Sequence, residues 1–122
     1  MSKITPAELD ERRSRDEYVV LDIRPRKTYQ RAHIDGSVNV PVYDDLKSGD
    51  EETLRQNLEK VPEHKTVVTV CKAGVTARKA TNVLEEEGYE ATTLAGGMRR
   101  WRGYENGTLG YRLRSLLGKL AP

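Results

Sequence analysis

The sequence contains no phenylalanine and only one cysteine among its 122 residues. A chain with a single cysteine cannot form an internal disulfide, so nothing in it requires an oxidising compartment. No apolar run approaches the roughly 18 residues of a membrane-spanning helix, and the N-terminal segment 1–6 lacks the apolar core of a signal peptide. We therefore expect a soluble cytoplasmic protein.

An excess of charge of one sign is also missing. The 21 lysine and arginine residues nearly balance the 19 aspartate and glutamate residues, which leaves a net charge of +2. That charge is too small to indicate a nucleic-acid partner. With 36% hydrophobic and 33% charged residues, the composition is that of one globular domain with a densely charged surface.

The most informative stretch is the run 66–70, which ends at the single cysteine, Cys71. Its five residues are all β-branched and do not alternate with polar ones, a pattern typical of a parallel strand buried on both faces. A short loop with Gly74 follows, and apolar residues then recur at helical spacing from Ala77 to Leu84. Cys71 is thus predicted to lie where a strand ends and a helix begins, which is where ligands bind in open α/β sheets.

This predicted position favours a reactive thiolate. Unpaired backbone N–H groups and the dipole at a helix N-terminus stabilise negative charge, and nearby cations do the same. Lys72, Arg78 and Lys79 all lie within eight residues of Cys71. The alternative is that Cys71 is a small hydrophobic residue at the end of a buried strand. The glycine loop and the helix start favour the nucleophile.

The remaining predicted elements are short and alternate along the chain. Strands are predicted at 3–5, 18–23, 37–40 and 89–94, and helices or helical turns at 5–13, 28–33, 43–46, from 51, at 77–87 and at 98–101. Thr5, Pro6 and Glu8 form a helix-start signal, with a capping threonine, a proline in the first position and a glutamate in the third. Strands and helices that alternate with short links predict a mostly parallel sheet with helices on both faces.

The C-terminal segment 105–122 is predicted to form a basic amphipathic helix or tail, separate from a domain at 1–104. Its leucines share a narrow stripe of a helical wheel: Leu109, Leu113, Leu116, Leu117 and Leu120. From Arg99 onward there are six basic residues and one acid. Docking onto the domain or onto a second copy is the favoured hypothesis. Contact with an anionic membrane surface, or with another protein, is less favoured.

Four separated motifs resemble those of the rhodanese-like family, in that family's order and spacing. They are Leu21-Asp-Ile-Arg24, Ala32-His-Ile-Asp-Gly-Ser37, Cys71-Lys-Ala-Gly-Val-Thr-Ala77 and Leu94-Ala-Gly-Gly97 through Trp101. The resemblance covers residues 3–103. It implies a rhodanese fold, an α/β fold with a five-stranded, mostly parallel sheet flanked by helices on both faces. It also implies sulfurtransferase chemistry through a cysteine persulfide.

The resemblance assigns roles to the loop that begins at Cys71. This residue is the expected catalytic nucleophile, which takes sulfur from a small donor such as thiosulfate and passes it to cyanide or a thiol. The expected substrate-binding residues surround the sulfur: Lys72, Ala73, Gly74, Val75, Thr76 and Ala77. Their N–H groups are expected to form an anion-binding bowl, with a positive φ at Gly74 and a hydrogen bond from the Thr76 hydroxyl to the sulfur. No metal or organic cofactor is expected, and a protein partner in a sulfur relay remains an open alternative.

Side chains outside the loop are expected to support it. Asp22 and Arg24 are predicted to form an ion pair that fixes the following loop, and Arg26 is either a cation that faces the substrate or a solvated one. His33 is expected to be structural. The Gly-Val-Thr-Ala form of the loop is similar to that of thiosulfate and mercaptopyruvate sulfurtransferases, although many single-domain relatives have an arginine where this chain has Thr76.

Two other functions stay open. Cysteine-loop phosphatases and arsenate reductases resemble the pattern Cys-X5-Arg, in which the arginine binds an oxyanion. In this chain six residues separate Cys71 from Arg78, so Arg78 is predicted to lie on the helix beyond the loop. The second alternative is a non-catalytic interaction module that uses the basic tail as its contact surface.

Overall fold

The computed structural model describes residues 3–107, and a five-stranded sheet forms its centre. The strands are β1 (Lys3–Ile4), β2 (Tyr18–Asp22), β3 (Val38–Asn39), β4 (Thr66–Val70) and β5 (Ala91–Leu94). They lie in the order β1-β5-β4-β2-β3, and every neighbouring pair is parallel. The predicted α/β fold with a five-stranded parallel sheet is therefore confirmed.

Helices cover both faces of this sheet. They are α1 (Pro6–Arg12), α2 (Arg26–Arg31), α3 (Tyr43–Lys47), α4 (Glu52–Arg55), α5 (Ala77–Glu86) and α6, which comprises residues 97–107. One hydrophobic cluster packs the sheet against α3, α4 and α5, and a second packs it against α1 and α6. Strand β4 gives Val67 to the first cluster and Val68 and Val70 to the second, so it is buried on both faces as predicted.

The helix-start signal at Thr5 is present as a capping box. The Thr5 hydroxyl accepts a hydrogen bond from the N–H of Glu8 at 3.2 Å, and the Glu8 carboxylate accepts bonds from the hydroxyl and the N–H of Thr5 at 2.9 and 3.2 Å. The bond from the Thr5 hydroxyl and, to a lesser extent, that from the Thr5 N–H hold the pKa of Glu8 below its ordinary value. The start of α1 is thus fixed by local contacts.

Helices α2, α4 and α6 differ in extent from the prediction. Helix α2 begins at Arg26 rather than at residue 28, because Pro25 already has the φ of −53° that suits a helix start. The predicted helix from residue 51 is short and is followed by a 3-10 turn at Leu58–Lys60, where the side chain of Asn57 donates to the carbonyl oxygen of Thr53 and competes with further helical turns.

Helix α6 extends well beyond the helical turn predicted at 98–101. Trp101 is buried in the second cluster, with the Arg13 guanidinium 5.0 Å from the centre of its ring, and the Tyr104 hydroxyl donates to Asp10 of α1 at 2.8 Å. The helix continues past residue 104, where the domain was predicted to end, so residues 105–107 of the predicted tail belong to α6. The rest of that tail, 108–122, lies outside the described residues. Within residues 3–107, no helix is both long and apolar enough to cross a membrane.

Candidate active site

Cys71 lies directly after β4, the central strand, and its side chain is buried with the residue 2% exposed. The backbone N–H groups of Gly74 and Ala77 donate hydrogen bonds to its Sγ atom at 3.1 and 3.4 Å. Donors aimed at a sulfur favour its negatively charged form. The main chain therefore presents two hydrogen-bond donors to the cysteine sulfur at the end of the central strand.

The tight curl of the loop depends on Gly74, which has the expected positive φ, at +83°. A Cβ atom built on this residue would come within 3.0 Å of the Gly96 nitrogen and 3.1 Å of the Leu94 carbonyl oxygen. The loop therefore packs main chain against main chain with the turn that follows β5. A side chain at Gly74 would both strain the backbone and push these two segments apart.

Helix α6 supports the loop from the other side. The N–H of Met98 donates to the carbonyl oxygen of Cys71 at 2.9 Å, and the N–H of Arg99 donates to that of Lys72 at 3.0 Å. Gly97, with φ at +60°, permits this approach, since a Cβ there would overlap the Cys71 carbonyl oxygen. The sequence interpretation missed these bonds; the Gly96-Gly97 pair in the fourth motif was the only signal for them.

A buried chain of hydroxyl groups lies beneath the loop. Thr69 Oγ1 donates to the carbonyl oxygen of Ala77 at 3.0 Å and is 2.8 Å from Thr81 Oγ1, which is 2.7 Å from Thr93 Oγ1. These contacts join β4, which precedes Cys71, to α5 and β5. Thr69 sits in a run of valines, and its role as a polar link was not predicted.

The other loop residues have differing positions. Lys72, Ala73 and Val75 are exposed, Val75 to 65%, while Thr76 is 6% exposed. The expected bond from the Thr76 hydroxyl to the sulfur does not form: within residues 3–107, the sulfur receives hydrogen bonds only from the two main-chain groups named above. Thr76 instead has helical backbone angles, and its carbonyl oxygen accepts from the N–H of Lys79 at 3.0 Å.

The predicted ion pair between Asp22 and Arg24 is present and buried. Arg24 Nη2 is 2.7 Å from Asp22 Oδ2, Arg24 Nε is 2.9 Å from Asp22 Oδ1, and the N–H of Arg24 also donates to Oδ1. Arg24 Nη2 further donates to the carbonyl oxygen of Ala32 at 2.7 Å. The pair thereby fixes the segment after β2, as predicted.

Three further predicted residues, Arg26, Arg78 and His33, do not hydrogen-bond to the sulfur. Arg26 is exposed at the start of α2, and Arg78 is exposed in the first turn of α5, beyond the loop. The ring of His33 stacks on that of Tyr29 with centroids 4.0 Å apart, and its Nδ1 is 2.8 Å from the Tyr29 carbonyl oxygen. His33 thus has the structural position that was expected.

A cleft of about 510 Å³ opens beside the loop. Its walls include Lys72 of the loop, Asp44 and Tyr43 of α3, and Met98, Arg99 and Arg102 of α6. In residues 3–107, no group of three or more histidine, cysteine, aspartate or glutamate side chains is placed to hold a metal ion. The site is thus a cysteine loop next to a cleft with four basic residues, of which Arg24 is paired with Asp22.

These features define an α/β protein with a cysteine loop at the switch from its central strand to a helix. Within that class, the chain belongs to the family of rhodanese-like domains, whose family model matches residues 5–104. The family resemblance inferred from the four motifs is thereby confirmed.

Individual relatives cover different parts of the chain. It is 32% identical to the HTH-type transcriptional regulator Rv0324 of Mycobacterium tuberculosis over 101 residues. These residues are 81% of this chain and 41% of that protein, so the chain spans about two fifths of that relative. It is 30% identical to the thiosulfate sulfurtransferase PspE of Escherichia coli over 80 residues, 65% of this chain and 69% of PspE. A crystal structure of a rhodanese-related protein from Thermoplasma volcanium shares the fold, with a TM-score of 0.71 at 23% identity over 85% of this chain and 93% of that one. The family and the similarity to PspE support a transferase at the level of the family.

Proposed function

We propose that this protein is a sulfurtransferase in which Cys71 carries sulfur as a persulfide between a small donor, such as thiosulfate, and a thiophilic acceptor. The observation that carries the proposal is the pair of N–H groups, from Gly74 and Ala77, that donate to the Cys71 sulfur. The same kind of donor stabilises the terminal sulfur of a persulfide anion without any charged side chain.

The reaction has two steps, and both take place at the Cys71 sulfur. The Cys71 thiolate attacks the outer sulfur of thiosulfate, the S–S bond of the donor breaks, and its electron pair leaves with sulfite. The acceptor, cyanide or a thiolate, then attacks the outer sulfur of the persulfide, and the bond to Cys71 breaks with its electrons returning to the cysteine. The Lys72 ammonium, exposed at the mouth of the loop, attracts the anionic donor. A protein that delivers or receives sulfur in a relay fits the same chemistry.

Intact mass spectrometry tests the proposal directly. Incubation with thiosulfate should add the mass of one sulfur atom to the full chain, and cyanide should remove it again. Cys71→Ser should show no gain. The same measurement with mercaptopyruvate distinguishes the two classes of donor.

The alternatives give different results. Hydrolysis of para-nitrophenyl phosphate without any gain in mass would favour the phosphatase. The absence of both hydrolysis and a gain in mass would favour a non-catalytic module. The exposed position of Arg78 beyond the loop does not favour the phosphatase, because that chemistry needs the arginine to bind the oxyanion.

A further inference from the structure

The cleft beside the loop carries more positive than negative charge. Four basic residues line it, Arg24, Lys72, Arg99 and Arg102, against one carboxylate, that of Asp44. Arg24 is paired with Asp22, which leaves the cations of Lys72, Arg99 and Arg102. None of the ion pairs formed within residues 3–107 includes any of these three cations. Unpaired cations that converge on one cleft raise the local concentration of an anionic ligand.

Two of the cations have fixed positions on one helix. The N–H of Arg99 donates to the carbonyl oxygen of Lys72, so the main chain of Arg99 is tied to the residue that follows Cys71. Arg102 is three residues further along α6, a spacing that places two side chains on the same face of a helix. A pair of guanidinium groups at this spacing suits a ligand with two carboxylates.

The size and the remaining walls of the cleft indicate an organic ligand. Its 510 Å³ is within the range of small-molecule sites, whereas a water molecule takes about 30 Å³ in the liquid, so a small inorganic anion would leave most of the cleft empty. Tyr43 and Met98 add an aromatic and an apolar surface beside the charged groups. A carbon skeleton that carries anionic groups matches both kinds of wall.

We infer that this cleft binds the sulfur acceptor, and that the acceptor is a small organic thiol with two carboxylates recognised by Arg99 and Arg102. The inference rests on the proposed sulfurtransferase function and adds the class of the acceptor. The thiolate of the bound acceptor attacks the outer sulfur of the Cys71 persulfide. A new S–S bond forms on the acceptor, the bond to Cys71 breaks, and the electron pair returns to the Cys71 sulfur.

The test compares two thiols on protein that already carries the persulfide and from which free donor has been removed. Mercaptosuccinate has two carboxylates, and 2-mercaptoethanol has none. In the double variant Arg99→Gln and Arg102→Gln, the concentration of mercaptosuccinate needed for half-maximal sulfur removal should rise roughly 3- to 10-fold, since each exposed charge pair contributes modestly. The value for 2-mercaptoethanol should not change. Asp44→Asn should lower the value for mercaptosuccinate, because it removes the opposing carboxylate.

Arg100→Gln is the matched control. Arg100 lies on the same helix but lines a separate depression with Thr5 and Gly103, so its replacement should affect neither thiol. An equal shift for both thiols in the double variant, or no shift for mercaptosuccinate, would overturn the inference. An effect of Arg100→Gln as large as that of the double variant would do so too.

A binding measurement separates this inference from the proposed function. Calorimetric titration of Cys71→Ser with mercaptosuccinate requires no persulfide. We expect binding that weakens with added salt and weakens by the same roughly 3- to 10-fold in the Arg99→Gln and Arg102→Gln background. If mercaptosuccinate binds no better than 2-mercaptoethanol, the inference fails even if thiosulfate loads Cys71. If it binds as expected while the mass never increases, the cleft assignment holds and the proposed function fails.

Discussion

The Thr69 hydroxyl donates to the carbonyl oxygen of Ala77 over 3.0 Å, and the N–H of the same Ala77 donates to the Cys71 sulfur over 3.4 Å. Thr69 lies in β4, two residues before the cysteine. Its hydroxyl therefore links this strand to the first residue of α5. Because Thr69 is fully buried, its hydroxyl bond cannot be replaced by water. Thr69 acts as a positioning residue for the loop.

We expect Thr69→Val to lower the free energy of unfolding by about 1–3 kcal/mol, since a buried hydrogen bond to the Ala77 carbonyl oxygen is lost and the Thr81 hydroxyl loses one of its partners. Urea denaturation measures this change. Thr69→Ser keeps the hydroxyl and should preserve the rate at which iodoacetamide alkylates Cys71, whereas Thr69→Val should change that rate several-fold. Equal alkylation rates in both variants would show that the hydroxyl does not position the loop.

Gly97 is the second position at which a small change should be costly. Gly97→Ala should lower the free energy of unfolding by at least about 2 kcal/mol, because its φ of +60° is strained for alanine and the new Cβ overlaps the carbonyl oxygen of Cys71. We also expect a loss of sulfur loading by intact mass. Gly103→Ala is the control: a Cβ there has no neighbouring atom within 4 Å, so stability should stay constant or rise by up to about 1 kcal/mol. Equal stabilities for the two variants would contradict the close approach at Gly97.

The buried pair of Asp22 and Arg24 predicts a strongly non-additive mutant cycle. Arg24→Met leaves the Asp22 carboxylate buried without its partner and should cost about 3–5 kcal/mol. The double variant Asp22→Leu with Arg24→Met removes both charges and should recover much of that loss. Urea denaturation of the two single variants and the double variant gives the coupling energy, and a double variant as unstable as the sum of the single ones would refute the prediction.

The lowered pKa of Glu8 predicts a pH-dependent contribution to stability. A carboxylate with a lower pKa in the folded protein stabilises it fully above the pKa of the unfolded chain, and this contribution disappears as the pH falls through the folded-state pKa. The stability advantage of the wild type over Glu8→Gln should therefore be present at neutral pH and shrink in the acid range. Unfolding midpoints from pH 7 to pH 3 measure this, with Glu11→Gln on the same helix as the control. An advantage that stays constant with pH would exclude the charged capping box as its source.

The strand-to-helix junction at Cys71 could be predicted because its signals are local. The β-branched run of β4 and the helical spacing of α5 both lie within twenty residues of the cysteine, and each has its own periodicity. The ion pair of Asp22 and Arg24 is also local, since only one residue separates its partners. The capping box at Thr5 belongs to the same group.

The contacts that complete the site are not local. Met98 and Arg99 reach Cys71 and Lys72 through main-chain atoms, which leave no side-chain pattern in the sequence. Arg99 was grouped with the basic tail because a one-dimensional charge count cannot separate a cleft wall from a solvated surface. A hydrogen bond from the Thr76 hydroxyl to the sulfur was predicted from the place of Thr76 in the loop. That bond does not form, and Thr76 instead has helical backbone angles, which depend on how the whole loop curls.

The close contact of Gly74 with the turn at 94–97 has a consequence for protein engineering. A chimera that receives the cysteine loop of another relative, without its matching turn after β5, would bring together two backbones that were not shaped for each other. Libraries that aim to change the sulfur donor should therefore exchange both segments as one cassette, or vary only the exposed positions, such as Val75.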